Sequence, residues 1–213
     1  MWGNNSDNTA LSAIPDNGGS GFQLWTSSES GGVAAGYFTG DSTEFGGGNV
    51  NSADNLAWGM YGGVGGIARA FRKTVNPLVE GGSLRVKCGI RFRNGFKGVG
   101  FLANGTRNLM FQATANEYQY SINGGASWTN LGWDYGTGTS IFEVAIYLTN
   151  IGGSDYTHNW KIIQLNTAVS INGSFNISAP VDEAEFFVGE TDGTGNDNLY
   201  VNFLSAFNPY RLS

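Results

Sequence analysis

Glycine interrupts this chain too often for a long helix to form in it. Thirty-four of its 213 residues are glycine, spread between short apolar runs. Each glycine inside a helix costs about 1 kcal/mol relative to alanine. Only 13% of the residues are charged, so the Glu, Lys and Arg that favour helices are scarce as well. Gly, Asn, Ser and Thr fill the gaps between runs of Val, Ile, Phe, Tyr and Trp, the pattern of strands joined by tight turns. The chain therefore reads as all-β.

Ser83–Arg93 carries the clearest alternation. Leu84, Val86, Cys88, Ile90 and Phe92 share one face, and Arg85, Lys87, Arg91 and Arg93 occupy the other. A period of two means a strand with one face in a core and one exposed. Gly21–Thr26, Gly32–Thr39, Ala57–Tyr61, Gly66–Arg72, Gly98–Ala103 and Leu109–Ala113 read as further strands, as do Ser140–Thr149, Asn159–Leu165, Glu185–Gly189 and Leu199–Leu204. About a dozen strands at spacings of roughly 8–15 residues predict an antiparallel β-sandwich or jelly roll with no long helix. No period of about 20–50 residues repeats, which argues against a propeller or solenoid. Residues 1–20, rich in Asn, Ser and Gly, read as an irregular N-terminal segment, and residues 21–213 as a single β-sandwich domain. Within it, Tyr118–Trp128 (Tyr-Gln-Tyr-Ser-Ile-Asn-Gly-Gly-Ala-Ser-Trp) resembles an Asp-box hairpin with Asn123 in the aspartate's place. Asn123-Gly124 is expected to supply the positive φ angles and Trp128 to fold back over the turn.

Charge and composition exclude several partners. The 40% hydrophobic content is too high for a disordered chain, yet nothing approaches the roughly 18 consecutive apolar residues of a membrane helix. Residues 1–68 contain six acids and no Lys or Arg, whereas residues 69–107 contain nine basic residues against Glu80. A nucleic-acid-binding domain is usually basic as a whole, and this chain carries a net charge of -6. Basic strands lying beside acidic ones in one sheet explain the distribution better, because opposite charges across a strand pair are favourable. Met1–Ser6 lacks the basic and apolar regions of a signal peptide, so export would use a removed signal or another route. Cys88 stands alone, which forbids an internal disulfide and reads as a small buried hydrophobe. His158 is the only histidine, which removes His-pair metal sites.

Several segments together resemble Gly-rich, concanavalin A-like jelly-roll domains of exported and surface bacterial proteins. They are Gly18–Phe22 with Trp25, Ala57–Tyr61, Arg69-Ala70-Phe71, Gly98–Phe101 and Asn198–Leu204, spread over residues 18 to 204. The resemblance implies two curved antiparallel sheets and an extracellular or cell-surface setting. Lectins, carbohydrate-binding modules, glycan-cleaving enzymes and structural units all share that shape, and fold alone does not choose among them.

Catalysis on such a fold has few candidates here. Glycan hydrolysis needs two carboxylates about 5–9.5 Å apart. The Glu-x-Asp-x-x-Glu pattern of the matching glucanases is absent, and the nearest cluster is Asp182-Glu183-Ala184-Glu185. Alternation puts Glu183 and Glu185 on one strand face, read as solvated and paired with a basic strand. His158 lacks the neighbours that lyases of this shape use. For binding, exposed aromatics stack on sugar rings while Asn and Asp orient hydroxyls. Trp133, Tyr135, Asn130 and Asp134 form the best such surface in sequence, with Trp58 and Tyr61 as further candidates against the alternative of core packing. The acidic, glycine-rich loop Asp192–Asn198 offers Asp192, Asn196 and Asp197 as ligands for a structural Ca²⁺, or is a plain Asx-rich turn. No other cofactor is expected. Asn4, Asn104, Asn172 and Asn176 lie in Asn-x-Ser/Thr sequons.

The leading expectation is a non-catalytic extracellular module that binds carbohydrate through surface aromatics and Asn/Asp. A structural subunit that assembles with copies of itself into a surface layer, filament or coat is the alternative, and a hydrolase or lyase the third. Nucleic acid and membrane insertion are not expected.

Overall fold

A computed structural model describes residues 21–30, 36–41, 56–62, 64–91, 95–115, 117–133, 141–165, 167–189 and 198–209. Fourteen strands run through them. They are β1 (Phe22–Ser30), β2 (Gly36–Asp41), β3 (Leu56–Tyr61), β4 (Ile67–Thr74), β5 (Ser83–Arg91), β6 (Phe96–Ala103), β7 (Thr106–Ala113), β8 (Tyr118–Ser121), β9 (Thr129–Asn130), β10 (Ile141–Gly152), β11 (Thr157–Gln164), β12 (Val169–Asn176), β13 (Glu183–Gly189) and β14 (Leu199–Phe207). None of the described residues is helical. The strands form two seven-stranded sheets, one ordered β1-β4-β13-β6-β7-β8-β9 and the other β12-β11-β10-β5-β14-β3-β2. Every paired neighbour is antiparallel, so the expected sandwich is what the chain forms.

The alternation read from Ser83–Arg93 decides which face of β5 enters the core. Leu84, Val86, Cys88 and Ile90 are at most 1% exposed, Arg85 is exposed, and Lys87 is half-buried. Phe92 lies outside the described residues. β5 sits between β10 and β14, with Val86 opposite Ile146 on one side and Leu204 on the other. Across the sandwich the facing layer is Val99 and Phe101 of β6, Leu109 and Phe111 of β7, and Ala184, Phe186 and Val188 of β13.

Two side-chain contacts fix how the sheets overlay. Tyr37 of β2 donates from its hydroxyl to the Arg69 carbonyl of β4 at 2.7 Å, bringing the β2 end of one sheet against the β1 end of the other. Tyr120 of β8 and Trp160 of β11 pack with tilted rings at 5.0 Å, closing the opposite lateral edge. Burial lifts the Tyr37 phenol to about 12, so it remains a donor throughout the physiological range.

The Asp-box hairpin forms, with one correction. Positive φ falls on Gly124 (70°) and Gly125 (94°), not on Asn123. Asn123 works through its side chain instead. Its Oδ1 accepts from the Ser127 backbone N–H at 3.0 Å and from the Ser121 hydroxyl at 2.7 Å, closing the loop across four residues. The Trp128 ring folds back to within contact of Gly125, as expected. A second difference is β12, which is not among the strands read from the sequence. Its Asn, Ser and Gly content reads as loop, yet eight consecutive residues pair with β11 without a bulge.

Candidate functional site

On β13, Ala184, Phe186 and Val188 enter the core, which turns Glu183, Glu185 and Phe187 to the outward face of their sheet. Glu185 was expected to be solvated there. It is instead fully buried, and Asp182 just before the strand is 3% exposed. The reason lies in the neighbouring strands. Glu185 is flanked by Phe71 of β4 and Gly100 of β6, and Gly100 in turn by Met110 of β7. With no side chain at Gly100, Arg107 reaches from β7 across β6 to the carboxylate. A Cβ at Gly100 would sit 2.5 Å from the Met110 sulfur and 3.4 Å from Glu185 Oε2.

The result is a carboxylate gripped by two guanidinium groups. Arg107 binds it in a fork, Nε to Oε2 at 2.6 Å and Nη2 to Oε1 at 2.8 Å, while Arg69 Nη1 reaches Oε1 at 2.5 Å. Bidentate arginine–carboxylate pairs are among the strongest and most directional side-chain contacts. Arg107 is held above its ordinary pKa, chiefly by its bond to Glu185. Both arginine side chains remain partly open to solvent, 24% for Arg69 and 38% for Arg107, over a carboxylate that has no exposed surface. Arg69 also lies over the Phe187 ring at 5.9 Å. Beside them, Lys73 Nζ pairs with Asp182 Oδ2 at 3.0 Å, and the Asn104 N–H caps Asp182 Oδ1 at 3.1 Å. Arg69, Lys73 and Arg107 of the basic segment are thus paired with acids on or just before β13.

Glu183 and Glu185 share a face two residues apart, the type of spacing that glycan hydrolysis uses. Burial raises the pKa of Glu183. Glu185, however, has both oxygens committed to arginine donors and no open surface to present to a substrate.

Of the residues singled out as a ligand surface, the four described ones fall at two places in the fold. Asn130 is on β9 and Trp133 follows it, at the lateral edge where β8 faces β11. Asn130 is exposed, and its Oδ1 accepts from the Gly132 N–H at 2.9 Å. Trp133 is half-buried and packs edge-on against Tyr118 at 5.7 Å. Trp58 and Tyr61 lie on β3, toward the opposite lateral edge of the other sheet. Asp134 and Tyr135, like Asp192, Asn196 and Asp197, lie outside the described residues. Among the described residues, no three His, Cys, Asp or Glu side chains gather to hold a metal. Sequence reasoning missed Arg69 and Arg107 as site residues, because nothing local marks two arginines 38 positions apart as partners of one glutamate.

A cleft of about 760 Å³ opens at one end of the sandwich, between the β4–β5 loop, the β10–β11 turn and the segment after β14. Its polar groups serve the loops themselves. Asn150 Nδ2 donates to the Leu78 carbonyl at 2.7 Å, and Asn208 Oδ1 accepts from the Val79 N–H at 3.1 Å.

No family model and no curated protein sequence matches the chain. Among solved structures it is similar to a tetrameric galectin from the ball sponge Cinachyrella, at 15% identity over 65% of this chain and 99% of that one, with a TM-score of 0.47. The binding domain of botulinum neurotoxin serotype C1 covers 96% of this chain with 48% of its own, at 12% identity and a TM-score of 0.45. A legume lectin-like domain from Entamoeba histolytica covers 68% of this chain with 80% of its own, at 8% identity and a TM-score of 0.42.

Proposed function

We propose that this chain is a non-catalytic carbohydrate-binding β-sandwich acting outside the cell or at its surface, with its ligand held over the Arg69–Glu185–Arg107 cluster. The single observation that carries the reading is that cluster. Two guanidinium groups, Arg107 in a fork and Arg69 through one bond, are fixed by one buried carboxylate and stay partly open to solvent. Sugar hydroxyls are ligands for such pre-set donors, and a fixed donor loses less entropy on binding than a free one. The surrounding charges balance, Arg69, Lys73 and Arg107 against Asp182, Glu183 and Glu185, which favours a neutral glycan over a polyanion. Asn130 aligns with the outward row of the same sheet at its edge, whereas Trp133 packs against Tyr118 on the core side. A structural Ca²⁺ at Asp192, Asn196 and Asp197 remains part of this proposal.

The alternative, a self-assembling subunit, drew on a basic segment complementary to acidic ones in another copy. Arg69, Lys73 and Arg107 of that segment find their acids within the chain, which removes their part of that motive. The experiment for the proposal is a glycan array probed with the folded wild-type protein. Binding to a set of neutral glycans supports it; a folded protein that binds no glycan refutes it.

A further inference from the structure

We propose that the outer face of the β12-containing sheet binds an acidic polysaccharide along the row Arg85–Tyr147–Lys161, on the side of the sandwich away from Glu185. The proposal does not depend on what the Glu185 cluster binds. One register row crosses that face. Asn172 of β12 lies opposite Lys161 of β11, Lys161 opposite Tyr147 of β10, Tyr147 opposite Arg85 of β5, and Arg85 opposite Ser205 of β14. The residues next to them, Ile162, Ile146 and Val86, are at most 1% exposed and belong to the core, so the row itself points outward. Arg85, Tyr147, Lys161 and Asn172 are all exposed.

The two sheets treat their cations differently. Arg69, Lys73 and Arg107 on the Glu185 side each reach a carboxylate. Arg85 and Lys161 reach none among the described residues. The described side chains of the neighbouring rows are Thr149, Asn159 and Ser174 on one side and Ala145 and Ile163 on the other, none of them acidic. Glu80 and Asp155 belong to the turns beyond the strand ends. Two cations therefore stand two strand spacings apart, about 10 Å, with a tyrosine and no acid between them. They make a positive field on a chain whose net charge is -6. The Arg85 guanidinium lies over the Tyr147 ring at 5.8 Å, so the ring holds that cation in place before a ligand arrives. A donor fixed in advance loses less entropy on binding.

Spacing and surroundings select a polysaccharide among polyanions. Duplex DNA carries a charge about every 1.7 Å of its axis, and dense Lys and Arg answer it; this row has only two cations. The gap between them is instead the span of two linked sugar rings. A polymer with one acid group per disaccharide would meet each cation in turn. Asn159, Asn172 and Thr149 supply amide and hydroxyl groups of the kind that pair with sugar hydroxyls.

Calorimetric titration at low salt tests this, with protein made in a host that does not glycosylate Asn172. The probes are hyaluronate, with one carboxylate per disaccharide, dextran sulfate, neutral dextran and a single-stranded oligothymidine. Hyaluronate or dextran sulfate should bind and dextran should not; the tighter of the two acids identifies carboxylate or sulfate as the preferred group. The double variant Arg85→Ser/Lys161→Ser, altered only at exposed positions, should melt close to the wild type and bind at least about tenfold more weakly. Folded Arg107→Lys, altered on the opposite sheet, should bind the same polymer as the wild type does, which separates this face from the Glu185 cluster. Binding to neither acidic polymer, an unchanged affinity in the double variant, a loss in Arg107→Lys, or tighter binding of the oligothymidine would each overturn the proposal. So would salt-sensitive self-association that the double variant abolishes, since the face would then take a second copy.

Discussion

His158 sits fully buried with its ring stacked on Phe175 at 5.4 Å, and both ring nitrogens are engaged. Nδ1 donates to the Tyr156 carbonyl at 2.6 Å, and Nε2 accepts from the Val181 N–H at 3.4 Å. That pairing requires the neutral ring. Burial lowers its pKa, against a smaller opposing effect of the Tyr156 carbonyl. Unfolded, the ring takes up a proton below about 6.5; folded, it resists one. Its contribution to stability is therefore complete above about pH 6.5 and is lost as pH falls below that value. The loss approaches about 1.4 kcal/mol per pH unit while only the unfolded state binds the proton. Glu183, with its raised pKa, acts in the opposite sense, favouring the fold at low pH. Urea unfolding from pH 8 to pH 5, compared with His158→Gln, isolates the histidine. The wild type's advantage over the variant should shrink as pH falls; a constant difference would show that the ring does not titrate as its surroundings demand. At the same scale, the Arg107 fork depends on the bare backbone of Gly100, where an added Cβ would strike Met110.

The strands that alternate strictly behaved as their sequences read. In β5 the inward set is sealed and the outward set is not, so Val86→Asp should cost about 3 kcal/mol or more by burying a charge without a partner. Arg85→Ser should cost about 0.5 kcal/mol, since the exposed guanidinium gives up only its contact over the Tyr147 ring at 5.8 Å. Thermal melts of the two variants decide it, and equal damage would mean that the faces are reversed. β12 was harder to see because its inward row includes Gly173, where a Cβ would meet the Trp160 ring at 2.7 Å. Packing against that indole, not a turn, requires the glycine, and a glycine flanked by Asn and Ser reads locally as a turn. The hairpin Tyr118–Trp128 was legible as a unit and Gly124 as a positive-φ residue, but its partner is Gly125 rather than Asn123.

The sandwich as a whole was legible because glycine, charge scarcity and period-two alternation all point the same way. The site was not, because it is made by register. Glu185 meets Arg69 and Arg107 only once β13 lies between β4 and β6 and β6 pairs with β7. The solvated reading of Glu185 failed for the same reason, since an outward face is exposed only if its neighbours leave it so. Metal belongs to this scale too. If Asp192, Asn196 and Asp197 hold Ca²⁺, EDTA should lower the melting temperature, because an ion bound only to the native state stabilises it by mass action. Replacing Asp192 and Asp197 with Asn should abolish that difference; a melt unmoved by EDTA would leave the loop as an ordinary turn. The central claim, a glycan held by two arginines over one carboxylate, is tested most directly by calorimetric titration of an array-selected glycan into wild type and Arg107→Lys. The lysine keeps the charge but lacks the fork. We predict a loss of affinity of about tenfold or more, the scale of a lost charge-assisted hydrogen bond, in a protein that still folds but melts at a lower temperature, because the buried Glu185 carboxylate loses part of its grip. Equal affinity in a folded Arg107→Lys protein would contradict the account.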